Sequence, residues 1–485
     1  MISSLLTKES LIKAVKGNVI GTHSAEISIL DVETDSRKVD SSLPAMFVPL
    51  MGEFQNGHKY IPDVLKKNVS VVLINEDEYQ DNESLYKKMA EENQQVLFLT
   101  VKNTLTALQN AAEEYVSEVC KDMIKISITG SCGKTTTKEM MVSVCKEYFG
   151  QENVAYTKGN LNSETGLPLS VFKITGKEKV GIFEMGMSRK NEIGEISKVY
   201  KSKYGIITNI GSAHIGILGS LENIAQEKRK SLDYIPCDGA AFVGSKDDFA
   251  DYCCENVKGK VVKFGSDVDE KISKVHFVKD NGLFGTKFTL EGLEVNLPIG
   301  GSYNYQNALA VIACAREIGI SADKIKAGLE KFAAVSGRME VSKKIVNGKE
   351  VTIINDSYNA NPDSMKKSIE LCSELKDAGQ KIFVLGDMKE LGQESVKAHQ
   401  NVGKLLSSLD ISYIFLIGPE MENAFTSYNG EAILEWNKEK DNQVYSEISK
   451  KIKSIVHDND VILFKASNSM NLKEIIENIT EEEGK

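Results

Sequence analysis

The sequence predicts an α/β protein of three domains: an N-terminal α/β domain, a central domain with a parallel sheet and a phosphate loop, and a Rossmann-like C-terminal domain. The first reason is length, since 485 residues correspond to about three domains at ~150 residues each. The second is that short apolar runs alternate with amphipathic stretches, as in parallel sheets covered by helices. The third is the glycine-rich segment ITGSCGKTTTKEM at residues 128–140. We place the domains at residues 1–104, 105–335 and 336–485.

The composition argues against several classes of function. Hydrophobic residues make up 41% of the chain and charged residues 26%, which is ordinary for a globular protein. The formal net charge of −10 and the lack of a long basic run argue against nucleic-acid binding. No apolar run is long enough for membrane insertion, and residues 1–17 predict an amphipathic helix, not a signal peptide. The eight cysteines contain no CxxC pair, so we expect reduced thiols in a cytoplasmic protein. We also expect a monomer.

The first domain is predicted from three short apolar runs of strand length. These are AMFVPL at residues 45–50, VSVVLI at residues 69–74 and FLTV at residues 98–101. Helical stretches lie between them. Residues 104–119 place apolar side chains at helical spacing, so we expect a helix that leads into the second domain.

The second and third domains are predicted from further strands. The runs at residues 123–130, 180–186 and 204–211 predict buried parallel strands, with functional groups at their carboxyl ends. Residues 257–265 and 276–298 have an antiparallel pattern and predict an added hairpin layer, followed by a helix over residues 305–319. Four strands separated by helical stretches follow at residues 351–359, 381–388, 411–418 and 460–467.

The glycine-rich segment predicts a phosphate site with a short loop. The usual phosphate loop places its first glycine five positions before the second, but that position is isoleucine here and the first glycine is Gly130. A buried strand precedes the loop and a helix follows it, as such a loop requires. Gly130 and Gly133 let the backbone approach an anion closely. Lys134 would reach the terminal phosphates, and Thr135 or Thr136 would ligate Mg²⁺.

Three further residues are candidates because of where they lie along the chain. Glu184 ends a predicted strand, where an adjacent parallel strand would supply a carboxylate to the metal. His214 follows the next strand among small residues, so both side chains could face the phosphates. Lys228, by contrast, has the pattern of an ordinary solvated lysine on a helix when composition alone is considered.

Nine motifs, in order, resemble those of the Mur ligases of peptidoglycan synthesis, and the resemblance runs from about Asp35 to Lys465. They are TGSCGKTTTKEM, GNLNSETGLP, EMG, NIGSAHI, GSLENIAQEK, GSYNYQNALA, GRME, NDSYNANPDSM and LGDMKELG. DSYNANPDSM and LGDMKELG are the most specific, and they are similar to the family member that adds D-alanyl-D-alanine to UDP-N-acetylmuramoyl-tripeptide. A DNPR-type motif, expected in the relative that adds the third residue, is absent from the sequence.

The resemblance implies that ATP phosphorylates a peptide carboxylate, which an amine then attacks. It implies two Mg²⁺ ions and an N-carbamylated Lys228, and it assigns residue roles as follows. The catalytic residues would be Lys134, Glu184, His214 and Lys228. The metal-binding residues would be Thr135, Glu184, His214 and Lys228. ATP binding belongs to Gly130, Ser131, Cys132, Gly133, Lys134, Thr135, Thr136, Asn304, Asn307, Arg338 and Asp356. Substrate binding belongs to Ser36, Arg37, Asn56, Gly57, His58, Asn160, Asn162, Glu164, Tyr358, Asn359 and Asn361.

Several alternatives stay open at this point. Asn304, an adenine-binding residue by resemblance, is also a candidate helix N-cap, and the two roles can coexist. Asn361 before Pro362 is also a good helix start. Four departures from the family pattern leave room for a paralogue with a different amino-acid or dipeptide substrate: Cys132, Ser163, Asn355 and Ala466. A folylpolyglutamate-type ligase and a nucleotide-dependent switch are the other hypotheses, although no guanine-reading NKxD motif is present. The third stem-peptide residue, diaminopimelate or lysine, is also open.

Overall fold

The computed structural model describes residues 4–23, 25–52, 55–265, 275–280 (backbone), 285–375 and 378–480. Within these ranges the strands form four sheets. Three of them are the centres of the three predicted α/β units, and the fourth is a small antiparallel layer. The predicted fold class is confirmed. No helix in the described ranges combines the length and apolar character needed to cross a membrane.

The N-terminal sheet has the order β1-β5-β4-β3-β2, with β1 antiparallel and the other strands parallel. The predicted strands are present as β3, β4 and β5, and the predicted N-terminal helix is α1. Both faces of β4 are buried, which explains its continuous apolar run. The strands are β1 Asn18–Val19, β2 Asp31–Glu33, β3 Ala45–Phe47, β4 Val69–Asn75 and β5 Leu97–Val101. The helices are α1 Lys8–Val15, α2 Ile61–Val64, α3 Glu76–Asp81 and α4 Glu83–Glu92.

Helix α5, Thr104–Val119, joins the first two units. Asn103 caps its start by accepting a hydrogen bond from the Thr106 N–H. Its apolar face belongs to one cluster with Leu11 of α1 and with Leu167 of the central unit. This predicted helix therefore fixes the N-terminal unit to the central one.

The central sheet is wholly parallel, in the order β11-β10-β9-β6-β8-β7. The antiparallel prediction for residues 257–265 is wrong, because β11 pairs in parallel with β10. β11 is an edge strand with exposed side chains, so its pattern resembles that of a half-buried antiparallel strand. The strands are β6 Ile124–Thr129, β7 Val154–Tyr156, β8 Val180–Glu184, β9 Tyr204–Ile207, β10 Ala240–Gly244 and β11 Lys260–Phe264.

The predicted hairpin layer at residues 276–298 is confirmed as the antiparallel sheet β12-β13-β14. Its strands are β12 Val275–Asp280, β13 Thr286–Leu290 and β14 Leu293–Leu297. The helices of the central unit are α6 Lys134–Phe149, α7 Gly166–Val171, α8 Glu192–Tyr200, α9 Ile215–Leu218, α10 Leu221–Arg229, α11 Ala250–Cys254, α12 Ser302–Glu317 and α13 Ala322–Glu330.

The C-terminal sheet has the order β15-β16-β20-β17-β18-β19, and only β15 among these strands is antiparallel. The four predicted strands are β16, β17, β18 and β20. The two edge strands, β15 and β19, were not predicted: β15 is rich in charged residues, and both are largely exposed or only partly buried. The strands are β15 Glu340–Val346, β16 Lys349–Asn355, β17 Lys381–Gly386, β18 Tyr413–Ile417, β19 Ile433–Asn437 and β20 Val461–Lys465. The helices are α14 Pro362–Ser373, α15 Ser395–Ser407, α16 Glu422–Ser427, α17 Asn442–Ile455 and α18 Lys473–Thr480.

Candidate active site

A cavity of about 390 Å³ lies between the central and C-terminal units. It opens at the carboxyl ends of β6 and β8, where parallel sheets place their ligands. The structure brings most of the predicted site residues to its wall: Ser131, Cys132, Gly133, Lys134, Thr135, Thr136, Asn160, Asn162, Glu184, His214, Asn304, Asn307, Arg338, Asp356, Tyr358, Asn359 and Asn361. The remaining predicted residues lie outside the wall: Ser36, Arg37, Asn56, Gly57, His58, Gly130, Glu164 and Lys228.

The phosphate loop connects β6 to α6. Gly133 is the N-cap of α6 and has a φ of 81°, a left-handed conformation that glycine adopts without strain. A Cβ atom at Gly133 would lie only 2.5 Å from Asn307 Oδ1, so glycine is also required for space. No side chain caps the first turn of α6, whose N–H groups are suited to an anion.

Glu184 is the centre of a buried polar cluster beside this loop. Thr135 Oγ1 donates a hydrogen bond of 2.8 Å to one carboxylate oxygen of Glu184, and Asn162 Nδ2 donates one of 2.8 Å to the other. The Glu184 N–H donates to Thr157 Oγ1 at 2.9 Å, which fixes the end of β8. In the described part of the chain no three His, Cys, Asp or Glu side chains are grouped to hold a metal. A hydroxyl and a carboxylate are nevertheless suitable for Mg²⁺, which usually takes few protein ligands beside phosphate and water.

Lys134 and Lys228 converge on one backbone oxygen. Their Nζ atoms donate to the Gly130 carbonyl oxygen at 2.8 and 3.0 Å. Lys228 is only 1% exposed, so its interpretation as a solvated lysine is wrong. Burial, reinforced by the charge of Lys134, places the pKa of Lys228 well below its ordinary value. Burial also lowers the pKa of Lys134, although Glu184 opposes this.

His214 contacts the C-terminal unit. Its Nδ1 atom lies 2.7 Å from Glu390 Oε2, and this interaction lowers the pKa of Glu390. Glu390 lies in the LGDMKELG motif and lines the cavity, but sequence reasoning did not assign it to the site. The specificity of that motif was the signal that could have identified it.

The C-terminal wall contains an ion pair that sequence reasoning also missed. Lys465, 2% exposed at the end of β20, lies 2.7 Å from Asp356 Oδ2. Asp356 also accepts hydrogen bonds from Ser368 Oγ at 2.6 Å and from the Met339 N–H at 3.0 Å. A buried lysine is rare without a partner, so a lysine that ends a fully buried strand was the available signal. Nearby, the Arg338 guanidinium lies 4.1 Å from the centre of the Tyr358 ring.

The two asparagine alternatives have different outcomes. The N-cap of α12 is Gly301, so the N-cap prediction for Asn304 is wrong. Asn304 Nδ2 instead donates to the Gly300 carbonyl at 2.8 Å, and Asn307 Nδ2 lies 3.3 Å from Asn304 Oδ1. The helix start at Asn361 is confirmed, because its side chain accepts from the Ser364 N–H and forms a capping box.

Two of the candidates in the N-terminal unit form a structural cluster. His58 is 2% exposed, and burial lowers its pKa. Its Nε2 atom accepts from the Asn75 N–H at 3.0 Å, and its Nδ1 atom lies 2.7 Å from Asn56 Oδ1. Nε2 is therefore the unprotonated nitrogen, and Nδ1–H donates to Asn56. Both ring nitrogens of His58 thus have protein partners.

The other candidates outside the cavity wall are more varied. Arg37 has 87% of its side chain exposed and pairs with Asp35 at 2.8 Å. The Ser36 carbonyl accepts from Lys67 Nζ at 2.7 Å. Gly57 allows close packing, since a Cβ there would lie 2.9 Å from the backbone of Leu50. Glu164 forms a salt bridge with Arg189, in which its carboxylate contacts the guanidinium.

Comparisons with known proteins agree with the motifs. Residues 128–315 match the family described as Mur ligase middle domain, and residues 337–468 match the one described as Mur ligase, glutamate ligase domain. The chain is 35% identical over 421 residues to the UDP-N-acetylmuramoyl-tripeptide–D-alanyl-D-alanine ligase of Treponema pallidum, covering 86% of each protein. It resembles the crystal structure of MurF from Acinetobacter baumannii with a TM-score of 0.83, at 26% identity and 98% and 99% coverage. It also resembles MurF ligase from Thermotoga maritima in complex with ADP, with a TM-score of 0.75, at 25% identity and 93% and 97% coverage.

Proposed function

The chain belongs to the Mur ligase family, and we propose on this premise that it joins D-alanyl-D-alanine to UDP-N-acetylmuramoyl-tripeptide in peptidoglycan synthesis. It is an ATP-dependent ligase that forms ADP and phosphate. The observation that carries the proposal is the cavity in which the phosphate loop of one unit faces Arg338, Asp356 and Lys465 of another. Such a site can surround a nucleotide and exclude water from a reactive intermediate.

The reaction proceeds through an acyl phosphate. The γ-phosphoryl group of ATP moves to an oxygen of the tripeptide carboxylate, and ADP leaves. The amine of the dipeptide then attacks the carbonyl carbon, phosphate leaves with the transferred oxygen, and the amine loses a proton. Lys134 and the first-turn N–H groups of α6 stabilise the charge on the transferring group.

The nucleotide is held from both units. Asn304 and Asn307 bind the adenine, because an amide offers both a donor and an acceptor to its edge. Asp356 binds the ribose, with its carboxylate already oriented by Ser368 and Lys465. Arg338 reaches the phosphates from its position on the Tyr358 ring.

The residues are suited to two magnesium ions. Thr135 and Glu184 would supply hydroxyl and carboxylate oxygens for one ion. His214 and a carbamate on Lys228 would hold the other, and the lowered pKa of the buried Lys228 favours the neutral amine that can capture CO₂. When bound, the ions neutralise charge on the phosphates and the acceptor carboxylate.

The acceptor extends from the N-terminal unit to the cavity. Ser36, Arg37, Asn56, Gly57 and His58 form the segments for the UDP group, with His58 shaping the loop through its buried hydrogen bonds. Asn160, Asn162 and Glu164 lie along the path of the muramoyl-peptide. The incoming dipeptide is placed by Tyr358, Asn359 and Asn361.

We further propose that the enzyme works as a cytoplasmic monomer. This proposal is supported by the fact that the phosphate loop and the facing residues Arg338, Asp356 and Lys465 belong to the same chain. The proposed units are residues 1–104, 105–335 and 336–485, with α5 as the helix between the first two.

The test measures ADP release with each substrate omitted in turn. A ligase releases ADP at full rate only with both the UDP-tripeptide and D-alanyl-D-alanine present. Full ATP hydrolysis without either would indicate a nucleotide-dependent switch, and amide formation only with another amine would indicate a paralogue. Oxygen-18 in the tripeptide carboxylate should appear in inorganic phosphate; label that stays wholly in the peptide would exclude the acyl phosphate. Parallel assays with diaminopimelate- and lysine-containing tripeptides identify the preferred acceptor.

A further inference from the structure

We propose that Asp363 is a positioning residue that holds the C-terminal unit closed over the phosphate loop. Asp363 accepts hydrogen bonds from Ser212. Ser212 belongs to a segment of the central unit that is hydrogen-bonded to the phosphate loop. This inference rests on the proposed function, because it explains how Arg338, Asp356 and Lys465 are kept at the nucleotide.

The first step is the attachment of residues 208–212, the support segment, to the phosphate loop. Ser131 Oγ donates to the Gly211 carbonyl at 2.9 Å and accepts from the Gly211 N–H at 2.8 Å. The Cys132 N–H donates to Asn209 Oδ1 at 3.0 Å, and Asn209 Nδ2 donates to the Cys132 carbonyl at 2.9 Å. Because these bonds run in both directions, the support segment and the loop move together.

The second step is the link from the support segment to the C-terminal unit. A single oxygen of Asp363, Oδ2, accepts from the Ser212 N–H at 2.8 Å and from Ser212 Oγ at 2.9 Å. A Cβ atom at Gly211 would lie 2.5 Å from this oxygen, so the approach requires glycine. Hydrogen bonds to an ionised acceptor are stronger than neutral ones. Asp363 also lies in the first turn of α14, where the helix dipole favours a negative charge.

The third step is the position of Asp363 relative to the cavity. Asp363 itself is outside the wall, whereas Asn361, Ser364 and Lys367 from the same helix line it. Fixing Asp363 therefore fixes the end of α14 that faces the nucleotide. The His214–Glu390 contact also joins the two units, but it uses a proposed metal ligand. The Ser212–Asp363 link uses no residue that we place in the binding or catalytic machinery.

The experiment compares Asp363→Ala, Asp363→Asn and the double variant Asp363→Ala/Ser212→Ala with a matched control, Asp323→Ala. Asp323 occupies the same second position of α13 and is exposed to solvent. Two quantities are measured on the full chain: kcat/KM for ATP in the ligase assay, and the radius of gyration with β,γ-methylene-ATP from X-ray scattering. Thermal unfolding is followed in parallel.

We expect Asp363→Ala to lower kcat/KM for ATP on the order of tenfold, the effect of losing hydrogen bonds to a charged group. Its radius of gyration with the nucleotide analogue should exceed that of the wild type. Asp363→Asn should have values of both quantities between those of the wild type and of Asp363→Ala, because an amide oxygen still accepts both hydrogen bonds but lacks the charge. Adding Ser212→Ala to Asp363→Ala should cause little further loss, and Asp323→Ala should match the wild type.

Wild-type scattering and kinetics for Asp363→Ala would overturn the proposal. So would a loss of activity with unchanged scattering and a lower melting temperature, since that pattern indicates a structural role alone. If the wild type forms no product with these substrates, the proposed function fails instead. Scattering with the nucleotide analogue still reports closure in that case, so the two failures are distinguishable.

Discussion

Replacing Lys228 by methionine should make the protein more stable and the enzyme much less active. The Nζ atoms of Lys134 and Lys228 lie 2.8 and 3.0 Å from the same Gly130 oxygen, so they are at most about 5.8 Å apart. Two unit charges at this separation would repel by ~3 kcal/mol at an effective dielectric constant of 20. The folded protein avoids this repulsion because the pKa of Lys228 is well below its ordinary value, but giving up that proton at neutral pH itself costs stability. Methionine removes the ionisable group, and with it this cost, and keeps most of the side-chain volume. In bicarbonate-free buffer we expect the free energy of unfolding to rise by up to ~3 kcal/mol.

The rate of ligation should fall at the same time, by about 100-fold or more, as when one preorganised charged group is lost from an active site. The assay follows ADP release with all three substrates, and urea unfolding gives the stability. Bicarbonate should stabilise the wild type, because a carbamate on Lys228 would attract Lys134, and it should leave Lys228→Met unchanged. Lys228→Ala should be partly rescued by a small carboxylic acid, whereas Lys228→Met should not, because methionine fills the space.

Two results would refute this reasoning. A wild-type rate for Lys228→Met would remove Lys228 from the catalytic residues. Lower stability with retained activity would show that Lys228 supports the fold by its hydrogen bond to Gly130 and has no role in the reaction. Lys228→Arg serves as the control for charge, since a guanidinium stays protonated and cannot bind a cation.

Three further predictions follow from the geometry. Lys134→Ala should abolish product formation while its circular dichroism spectrum stays that of the wild type, and near-wild-type turnover would exclude the phosphate-loop assignment. Gly133→Ala should lose ~1–2 kcal/mol of stability because its φ is 81°, as should Gly319→Ala at a φ of 91°. Of the two variants, only Gly133→Ala should also bind ATP more weakly, because its Cβ would meet Asn307 whereas the Cβ at Gly319 would enter open space. Calorimetry measures the affinities, and equal values for the two variants would contradict this. Burial lowers the pKa of His399. As the pH falls, the unfolded chain therefore takes up a proton at this histidine before the folded protein does, and the free energy of unfolding should decrease as the pH drops through ~6.5. Urea unfolding of His399→Gln should show a smaller decrease in the free energy of unfolding with falling pH. The same pH dependence as in the wild type would contradict the prediction.

Resemblance and local pattern together indicated most of the residues that line the cavity. The phosphate loop is a contiguous run whose glycines, lysine and threonines have their roles through local backbone geometry, so it was predictable from the residues. Lys228 was assigned only by resemblance, because nothing in its helix indicates burial. Lys465 and Glu390 were missed, since each becomes part of the site only through a partner far along the chain.

The sequence by itself determined the alternation of strands and helices, the phosphate loop and the helix start at Asn361, because hydrophobic period, glycine conformation and capping act over a few residues. Tertiary structure alone decided that β11 pairs in parallel at an edge, and that Lys228 meets Gly130 from 98 residues away. It also decided that Asp363 reaches Ser212 across two units. Such contacts depend on strand order and on the docking of whole domains, which local pattern does not encode, and they create the charge environment of the site.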